Sequence, residues 1–338
     1  MVLISLLYIF MKKERIKGRK NYPTEEIDPV NFLDDETVKN MVKNINKLKL
    51  TPEDFKKIYN CVDCNECETE KERILLKQKY LEQGNSFEGW KEMLEYFEKY
   101  RTPYPSNEMR IKIPKEVPKK SNTLFFMGCL STIRIPHYTE NAIKYLLDQG
   151  VDFTILDREI CCGWPWYVSG SLRELEICKK ENLEIFKNYD RIICLCPACY
   201  FLFLNDYSKD LGKKVEIQYI TDYLKPSKQK KSGTVAFQHL CQLMNRGKEG
   251  IDQFVEEIFK KSGYKIANVP HWCCGGGIGY MHRTDVIEEI AKKRMNDFNR
   301  NDIDYITTYC VSCWWILSRF CKKCKIKPKA KDIFELLL

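Results

Sequence analysis

The 338-residue sequence predicts an α/β protein in which two duplicated βαβ-type domains with short parallel sheets follow a mainly helical N-terminal arm. Three observations predict this organisation. After about residue 120, short apolar runs alternate with segments of helical periodicity, as in parallel βαβ units. Five cysteines of that region recur 112 to 114 residues later. The segment before it shows helix-start signals but no such alternation.

The first twenty residues form an apolar and then basic tail. As a helix, the ten apolar residues at its start would reach about 15 Å, half of a bilayer core. No other window holds 18 apolar residues, so no transmembrane segment is expected. Two interpretations stay open for residues 1–20: a weak interfacial anchor with a basic flank, or a tail upstream of a start at Met11, which we favour.

The arm, residues 21–118, is expected to be helical. Acidic residues after Asp34 mark one helix start, and Thr51 followed by Pro52 marks a second. The charged run from Glu70 predicts a solvent-exposed helix. Residues 102–120 contain four prolines, which predicts a linker and a domain boundary near residue 118.

Strands and helices alternate in each half of the rest of the chain. The apolar runs predict strands at 124–127, 153–156, 191–195, 234–237, 265–269 and 305–308. Periodic segments predict helices at 136–149, 171–188, 249–262 and 283–298. We therefore expect domains over residues 119–232 and 233–338.

Composition narrows the function classes. The 17 cysteines lie in a long chain without a convincing export signal, which favours metal binding in a reducing compartment over a disulfide framework. The net charge of +9 fits a lysine-rich solvated surface better than a nucleic-acid-binding face. Neither a P-loop nor a dinucleotide-binding glycine motif occurs, so no nucleotide or flavin site is expected.

The duplicated cysteines carry the strongest signal. Each half reads Cys-x31-Cys-Cys-Gly, a gap of 33 or 35 residues, and Cys-x-x-Cys. Loops that leave the carboxyl ends of neighbouring parallel strands converge, so five thiols per half can meet at one place. Gly163 and the glycines after Cys274 permit the tight turn that adjacent cysteines need to face one site. Five thiols exceed the four ligands of zinc and favour a multi-iron cluster; zinc with inert buried cysteines is the alternative.

The repeated motif resembles the cysteine-rich CCG domain of heterodisulfide reductase catalytic subunits and of iron–sulfur subunits of glycolate, lactate and glycerol-3-phosphate dehydrogenases. The stretches that carry the resemblance are FFMGCLSTIRIP, VDFTILDREICCG, CLCPACY and HWCCGGGIG. It implies one noncubane [4Fe–4S] cluster per half. The implied ligands of the first cluster are Cys129, Cys161, Cys162, Cys196 and Cys199, and those of the second are Cys241, Cys273, Cys274, Cys310 and Cys313.

The chain departs from the family pattern in its second half. Gln238-His239-Leu240-Cys241-Gln242 stands where many relatives have His-x-Pro-Cys-His, and Val311 replaces a proline. These changes affect groups around the ligands rather than the ligands themselves.

The arm contains a Cys-x2-Cys-x2-Cys triplet: Cys61, Cys64 and Cys67. It matches three quarters of a ferredoxin motif, so it could bind a cubane cluster with a fourth donor, a [3Fe–4S] cluster or zinc. An iron–sulfur cluster is favoured. Four thiols remain uncommitted and could supply a donor: Cys178, Cys194, Cys321 and Cys324.

Other residue types give weaker signals. His271 lies two residues before Cys273 and could donate a hydrogen bond or a proton, although an ordinary loop histidine explains it as well. Five tryptophans flank the motifs and are expected to exclude water: Trp164, Trp166, Trp272, Trp314 and Trp315.

The resemblance implies an iron–sulfur oxidoreductase that reduces a disulfide of small thiols, with electrons from a partner flavoprotein or iron–sulfur subunit through the arm. The alternative is a non-catalytic electron-transfer subunit of a flavin-dependent dehydrogenase. A zinc scaffold is a third interpretation. We expect a cytoplasmic protein with at most peripheral membrane contact.

Overall fold

The computed structural model of the protein describes residues 33–64, 67–211, 215–244, 250–277 and 283–338. The tail of residues 1–20 lies outside this range. None of the helices within it is long and apolar enough to cross a membrane.

The arm contains four α-helices, as its sequence predicts. They are α1 (Asp35–Lys43), α2 (Phe55–Tyr59), α3 (Glu70–Glu82) and α4 (Trp90–Tyr100). The carboxylate of Asp34 accepts a hydrogen bond from the backbone N–H of Thr37 at 2.7 Å and so caps α1. Residues 101–122 form no helix or strand, which agrees with the predicted linker.

Helix α3 is not the solvent-exposed helix that its charges predicted. Lys77 and Tyr80 are completely buried, and Arg73 is nearly so. The Lys77 ammonium donates to the carboxylate of Asp63 at 2.8 Å and to the carbonyl of Val168 at 2.9 Å. The expectation failed because a lysine counts as a surface residue in sequence, whereas here its charge has a buried partner.

The first duplicated domain contains a three-stranded parallel sheet of order β1-β2-β3. Its elements are β1 (Thr123–Phe126), α5 (Cys129–Arg134), α6 (Pro136–Asp148), α7 (Trp164–Ser169), α8 (Leu172–Phe186), β2 (Arg191–Cys194), α9 (Pro197–Leu202), α10 (Ser208–Leu211) and β3 (Glu216–Tyr219).

The second domain contains a four-stranded parallel sheet of order β5-β4-β6-β7. Its elements are β4 (Thr234–Phe237), α11 (Cys241–Met244), α12 (Ile251–Ser262), β5 (Lys265–Ile266), α13 (Thr284–Phe298), β6 (Tyr305–Thr307), α14 (Val311–Lys323), β7 (Lys329–Ala330) and α15 (Ile333–Leu337).

Two strand predictions need correction. The run at 153–156 forms no strand: only Thr154 bridges to Leu124, at the place that β5 occupies in the second sheet. The run at 265–269 is ordered as a strand only over Lys265–Ile266. Conversely, β3 and β7 were not predicted, and they extend the duplication to a fourth strand position.

The carboxyl ends of the two sheets face each other. Tyr219, at the end of β3, donates its hydroxyl hydrogen bond to the carbonyl of Tyr309, which follows β6. Tyr138 on α6 donates likewise to the carbonyl of Thr308, at 3.4 Å. Both tyrosines are completely buried, so these contacts lie within the core and join the two domains at the edge where the cysteine loops emerge.

Candidate metal centres

The first cysteine set lies at the carboxyl ends of β1 and β2. Phe126 pairs with Cys194 at the last position of these strands, so the loops that follow start side by side. Cys129 begins α5, and Cys196 is the N-cap residue of α9. A β-carbon on Gly128 would lie 3.3 Å from the sulfur of Cys199, which shows how closely the first loop approaches α9.

A left-handed glycine follows each pair of adjacent cysteines. Gly163 has φ +95° and Gly275 has φ +80°, so the chain turns sharply there, as the sequence indicated. In the second half the turn aims backbone N–H groups at sulfur. Gly275 donates to the sulfur of Cys273 at 3.3 Å, and Gly276 donates to that of Cys274 at 3.2 Å. Such donors stabilise thiolates.

The second cysteine set forms a chain of sulfur contacts. The sulfurs of Cys241 and Cys273 are 3.6 Å apart, and those of Cys274 and Cys313 are 3.2 Å apart. The sulfur of Cys310 caps α14 by accepting the backbone N–H of Cys313 at 3.5 Å. The structure thus brings together the five thiols that the sequence motif pairs in this half.

One cleft of about 790 Å³ separates the two sets and is lined by both. Apolar side chains, among them Val62, Leu130, Trp164 and Leu240, complete its wall. Nine of the ten motif cysteines line the cleft: Cys129, Cys162, Cys196, Cys199, Cys241, Cys273, Cys274, Cys310 and Cys313. The sequence predicted two crevices, and the structure joins them into one.

Burial and mutual contact control the protonation of these thiols. Hydrogen bonding among neighbouring thiols and burial hold the pKa of Cys161 well above the ordinary range, and burial has the same effect on the pKa of Cys199. In contrast, hydrogen bonds from the thiols of Cys161 and Cys199 lower the pKa of Cys162. Protons shared in this way must leave when a metal binds, so metal loading is coupled to proton release.

The arm's triplet lies beside the second set. A β-carbon on Gly277 would meet the carbonyl oxygen of Val62 at 2.2 Å, so the two loops are in backbone contact. Cys64 is buried, and its charge acts on Cys241. Desolvation raises the pKa of Cys61 to about 12.

The uncommitted thiols have separate surroundings. Cys178 is buried beneath the Cys161–Cys162 turn, and its thiol interacts with that of Cys161. Cys321 is buried with its sulfur 3.7 Å from that of Met295. Cys194 lies in β2, and Cys324 follows the last turn of α14.

His271 is exposed and stacks on His239, with ring centroids 4.6 Å apart. His239 is buried instead: its Nδ1 lies 3.1 Å from the Tyr309 hydroxyl and its Nε2 lies 3.2 Å from the Glu256 carboxylate. This network precedes Cys241 directly, and the sequence analysis noted His239 only as a departure from the family pattern.

Two buried charged residues near the sets were missed in the sequence. The carboxylate of Glu159 accepts the backbone N–H groups of Met127 and Gly128 at 2.7 and 2.6 Å, and burial raises its pKa to about 7. Arg294 is buried on α13. A buried charge leaves no trace in hydropathy; only the duplication, which aligns Arg294 with Asn182, singles it out.

The donor chemistry fits iron–sulfur clusters. Each set offers five soft sulfur donors, backbone N–H groups point at sulfur, and the surrounding wall is largely apolar. A single zinc ion in each set would leave one thiol unused. The fold and these sites together define a cysteine-rich protein of the iron–sulfur redox class.

Comparison with known proteins identifies the domains. Residues 123–203 and 235–318 each match the CCG cysteine-rich domain, so both duplicated domains belong to the CCG family, which confirms the sequence resemblance. The relatives are iron–sulfur proteins. The chain is 31% identical to an uncharacterized iron–sulfur protein of Methanococcus maripaludis over 64% of its own length and 45% of that protein. It is 27% identical to another of Methanocaldococcus jannaschii over 84% of its length and 61% of that protein.

A further relative is a subunit of the fumarate reductase (CoM/CoB) of Methanothermobacter marburgensis, 25% identical over 56% of this chain and 40% of that protein. The chain therefore spans about half the length of these curated relatives. A lactate utilization protein A of Bacillus mycoides is 21% identical over 56% of this chain and 84% of that protein. The fold resembles a Helicobacter pylori protein of known crystal structure, with a TM-score of 0.50, 12% identity, and coverage of 92% of this chain and 64% of that one.

Proposed function

We propose that each cysteine set holds one [4Fe–4S] cluster of noncubane type and that the protein transfers electrons through them. The observation that carries this proposal is the single cleft lined by thiols of both sets. The first site would use Cys129, Cys161, Cys162, Cys196 and Cys199, and the second Cys241, Cys273, Cys274, Cys310 and Cys313. When bound, such clusters supply single-electron transfer and iron atoms that can take a sulfur ligand.

The chain's own residues prepare this cleft. Leu130, Leu240 and Trp164 line it and limit the access of water, which strengthens electrostatic interactions inside. Backbone N–H groups of the glycine turns hold the thiolates of Cys273 and Cys274 in place. The buried tyrosines Tyr138 and Tyr219 fix the distance between the two sets by bridging the domains.

The proposed reaction is the reduction of a disulfide of small thiols. Its balance is one disulfide plus two electrons and two protons, giving two thiols. The electrons come from a reduced partner flavoprotein or iron–sulfur subunit. A site between two one-electron centres suits a reaction that needs two electrons, one for each sulfur of the broken bond. Two facing sets across one cleft support this substrate class, as does the relationship to a subunit of a CoM/CoB-dependent reductase.

The arm is proposed to relay those electrons. An iron–sulfur cluster at Cys61, Cys64 and Cys67 would lie next to the second set, since Val62 lines the cleft and touches Gly277. Zinc and a [3Fe–4S] cluster are the alternatives at this triplet. We propose domain boundaries near residues 118 and 232. All 17 cysteines are free thiols in the structure, which supports a reducing, cytoplasmic location.

A non-catalytic electron-transfer subunit of a flavin-dependent dehydrogenase is the second candidate function. The relationship to lactate utilization protein A favours it, because that protein's name refers to lactate rather than to a thiol. In that case the cleft would serve electron exchange with a partner rather than substrate binding.

An assay with the chain alone separates the two. Anaerobic protein is mixed with reduced methyl viologen, and dye oxidation is followed after addition of glutathione disulfide or a mixed alkane disulfide. Disulfide reduction predicts turnover that Cys162→Ser and Cys274→Ser abolish and that Cys321→Ala leaves unchanged. No turnover with any disulfide, together with tight binding to a flavin dehydrogenase, would support the second candidate instead.

A further inference from the structure

The duplication places α8 and α13 in equivalent positions beneath the two cysteine turns. Leu172–Phe186 and Thr284–Phe298 coincide after a shift of 112 residues. A β-carbon on Gly163 would touch Leu175 and Cys178 of α8; one on Gly275 would touch Ile287 and Ile290 of α13, at the matching positions. Any difference between these helices therefore distinguishes the two sites.

The helices differ in charge at their eleventh residue. In α8 this residue is Asn182, whose neutral amide donates to the carbonyls of Cys161 and Cys178 at 3.0 and 2.9 Å. In α13 it is Arg294, which is only 2% exposed. A guanidinium stays protonated in proteins, so the second half carries a permanent buried positive charge where the first half has none.

Arg294 is held rigidly beside the second set. Its Nε donates to the side-chain oxygen of Gln238 at 2.6 Å, and its Nη1 donates to the carbonyl of Pro270 at 2.7 Å. Gln238 in turn donates to the carbonyl of Trp272, directly before Cys273. The arginine thus supports the segment that leads into the adjacent cysteines.

Arg294 also acts on the sulfurs electrostatically. It shares the lining of a cavity of about 230 Å³ with Cys273, and the charges of Cys274 and Cys313 interact with it. Its counter-ion Asp297 lies 2.9 Å away, but that carboxylate is 24% exposed and so is partly screened by water. Lys293 adds a second cation to the same cavity lining. The first set has instead the carboxylic acid of Glu159 against its loops.

We propose that Arg294 makes the second cysteine set the site of higher reduction potential, so that an electron entering the chain settles there before the first set is reduced. The inference rests on the proposed function, since it presumes a cluster in each set. Reduction adds negative charge to a cluster, and a buried cation stabilises that charge, which raises the potential. Arg294 is thus a positioning and potential-setting residue rather than a ligand.

The test uses two variants with opposite expected effects. The midpoint potential is measured by EPR during anaerobic redox titration, in a Cys162→Ser background that leaves only the second set complete. Arg294→Gln removes the cation and should lower the potential. Asp297→Asn removes the counter-ion and should raise it. Arg294→Lys keeps the charge and should stay close to the parent.

Arg300→Gln is the matched control. Arg300 also supports the loop before Cys273, by donating to the carbonyl of Asn268 at 2.6 Å, but it lies in solvent and pairs with Asp302. Its removal should leave the potential unchanged. The inference is overturned if Arg294→Gln and Asp297→Asn shift the potential in the same direction or not at all, or if Arg300→Gln shifts it equally. If Arg294→Gln binds no iron, the direction of the Asp297→Asn shift decides. Absence of any cluster signal in the unaltered protein would instead refute the proposed function.

Discussion

The carbonyl oxygen of Val62 lies against the α-carbon of Gly277, so close that a β-carbon there would sit 2.2 Å from the oxygen. Val62 separates two cysteines of the arm, and Gly277 ends the glycine run after Cys274. The arm therefore reaches the second cysteine set through backbone contact, and this contact has no room for any side chain.

Gly277→Ala should loosen the arm. Because the obstructing atom belongs to the backbone, the loops must move apart, and we expect a loss of about 1–3 kcal/mol in the free energy of unfolding. Denaturant unfolding measures the loss, and limited proteolysis should cut the arm faster. Gly84→Ala serves as control: its φ is +79° but its surroundings are open, so only the conformational strain of about 1 kcal/mol applies. Equal resistance of Gly277→Ala and the unaltered protein would contradict the contact.

The buried pair of Lys77 and Asp63 should be essential to the arm. Lys77→Met leaves a carboxylate buried without its cation, and we expect a loss of about 3–5 kcal/mol in unfolding free energy. Asp63→Asn added to Lys77→Met should recover part of it, since asparagine is neutral and tolerates the positive φ of residue 63. Lys39→Met breaks an exposed pair with Glu68 and should change stability by at most about 0.5 kcal/mol. A loss for Lys77→Met no larger than for Lys39→Met would exclude the buried pair as a stabilising element.

Sequence patterns predicted the elements whose apolar runs are continuous. The strand at 234–237 was placed correctly to the residue, and the helices Leu172–Phe186 and Thr284–Phe298 fall within two residues of their predicted bounds. The turns after the paired cysteines were also expected, because only glycine adopts the positive φ found at Gly163 and Gly275 at little cost.

Long-range pairing was beyond such patterns. The run at 153–156 has strand-like composition, yet only Thr154 bridges to a neighbour. The strand Lys329–Ala330 lies in a lysine-rich stretch and owes its conformation to pairing with Tyr305 and Ile306. Likewise, the joining of two crevices into one cleft depends on how the domains face each other, which Tyr138 and Tyr219 determine through contacts far apart in sequence.

Asp332 should make stability depend on pH. It caps α15 through the backbone N–H of Glu335 at 2.7 Å and accepts from the Asn141 amide at 2.6 Å. Burial, aided by the charge of Glu335 and opposed by that of His137, raises its pKa from 3.8 to about 6. Since the fold favours the protonated acid, its stabilisation is complete below the unfolded-state pKa and is lost as the pH rises through about 6.

Asp332→Asn keeps a neutral cap at every pH. Its stability advantage over the unaltered protein should therefore grow by roughly 3 kcal/mol between about pH 4 and pH 7. Urea unfolding at several pH values measures this difference. Asp302→Asn, at an exposed residue whose pKa Arg300 lowers, should show no such growth. An advantage that is constant with pH would show that the Asp332 carboxyl is not destabilised by burial.

The cysteine ligands are tested most directly by iron and sulfide analysis with EPR on protein prepared without oxygen. Two [4Fe–4S] clusters give about eight iron atoms per chain before any contribution from the arm. Cys162→Ser should remove the signal of the first site and Cys274→Ser that of the second, whereas Cys321→Ala should remove neither. Spectra unaffected by both serine substitutions, or a protein that contains zinc and no iron after anaerobic reconstitution, would contradict the account.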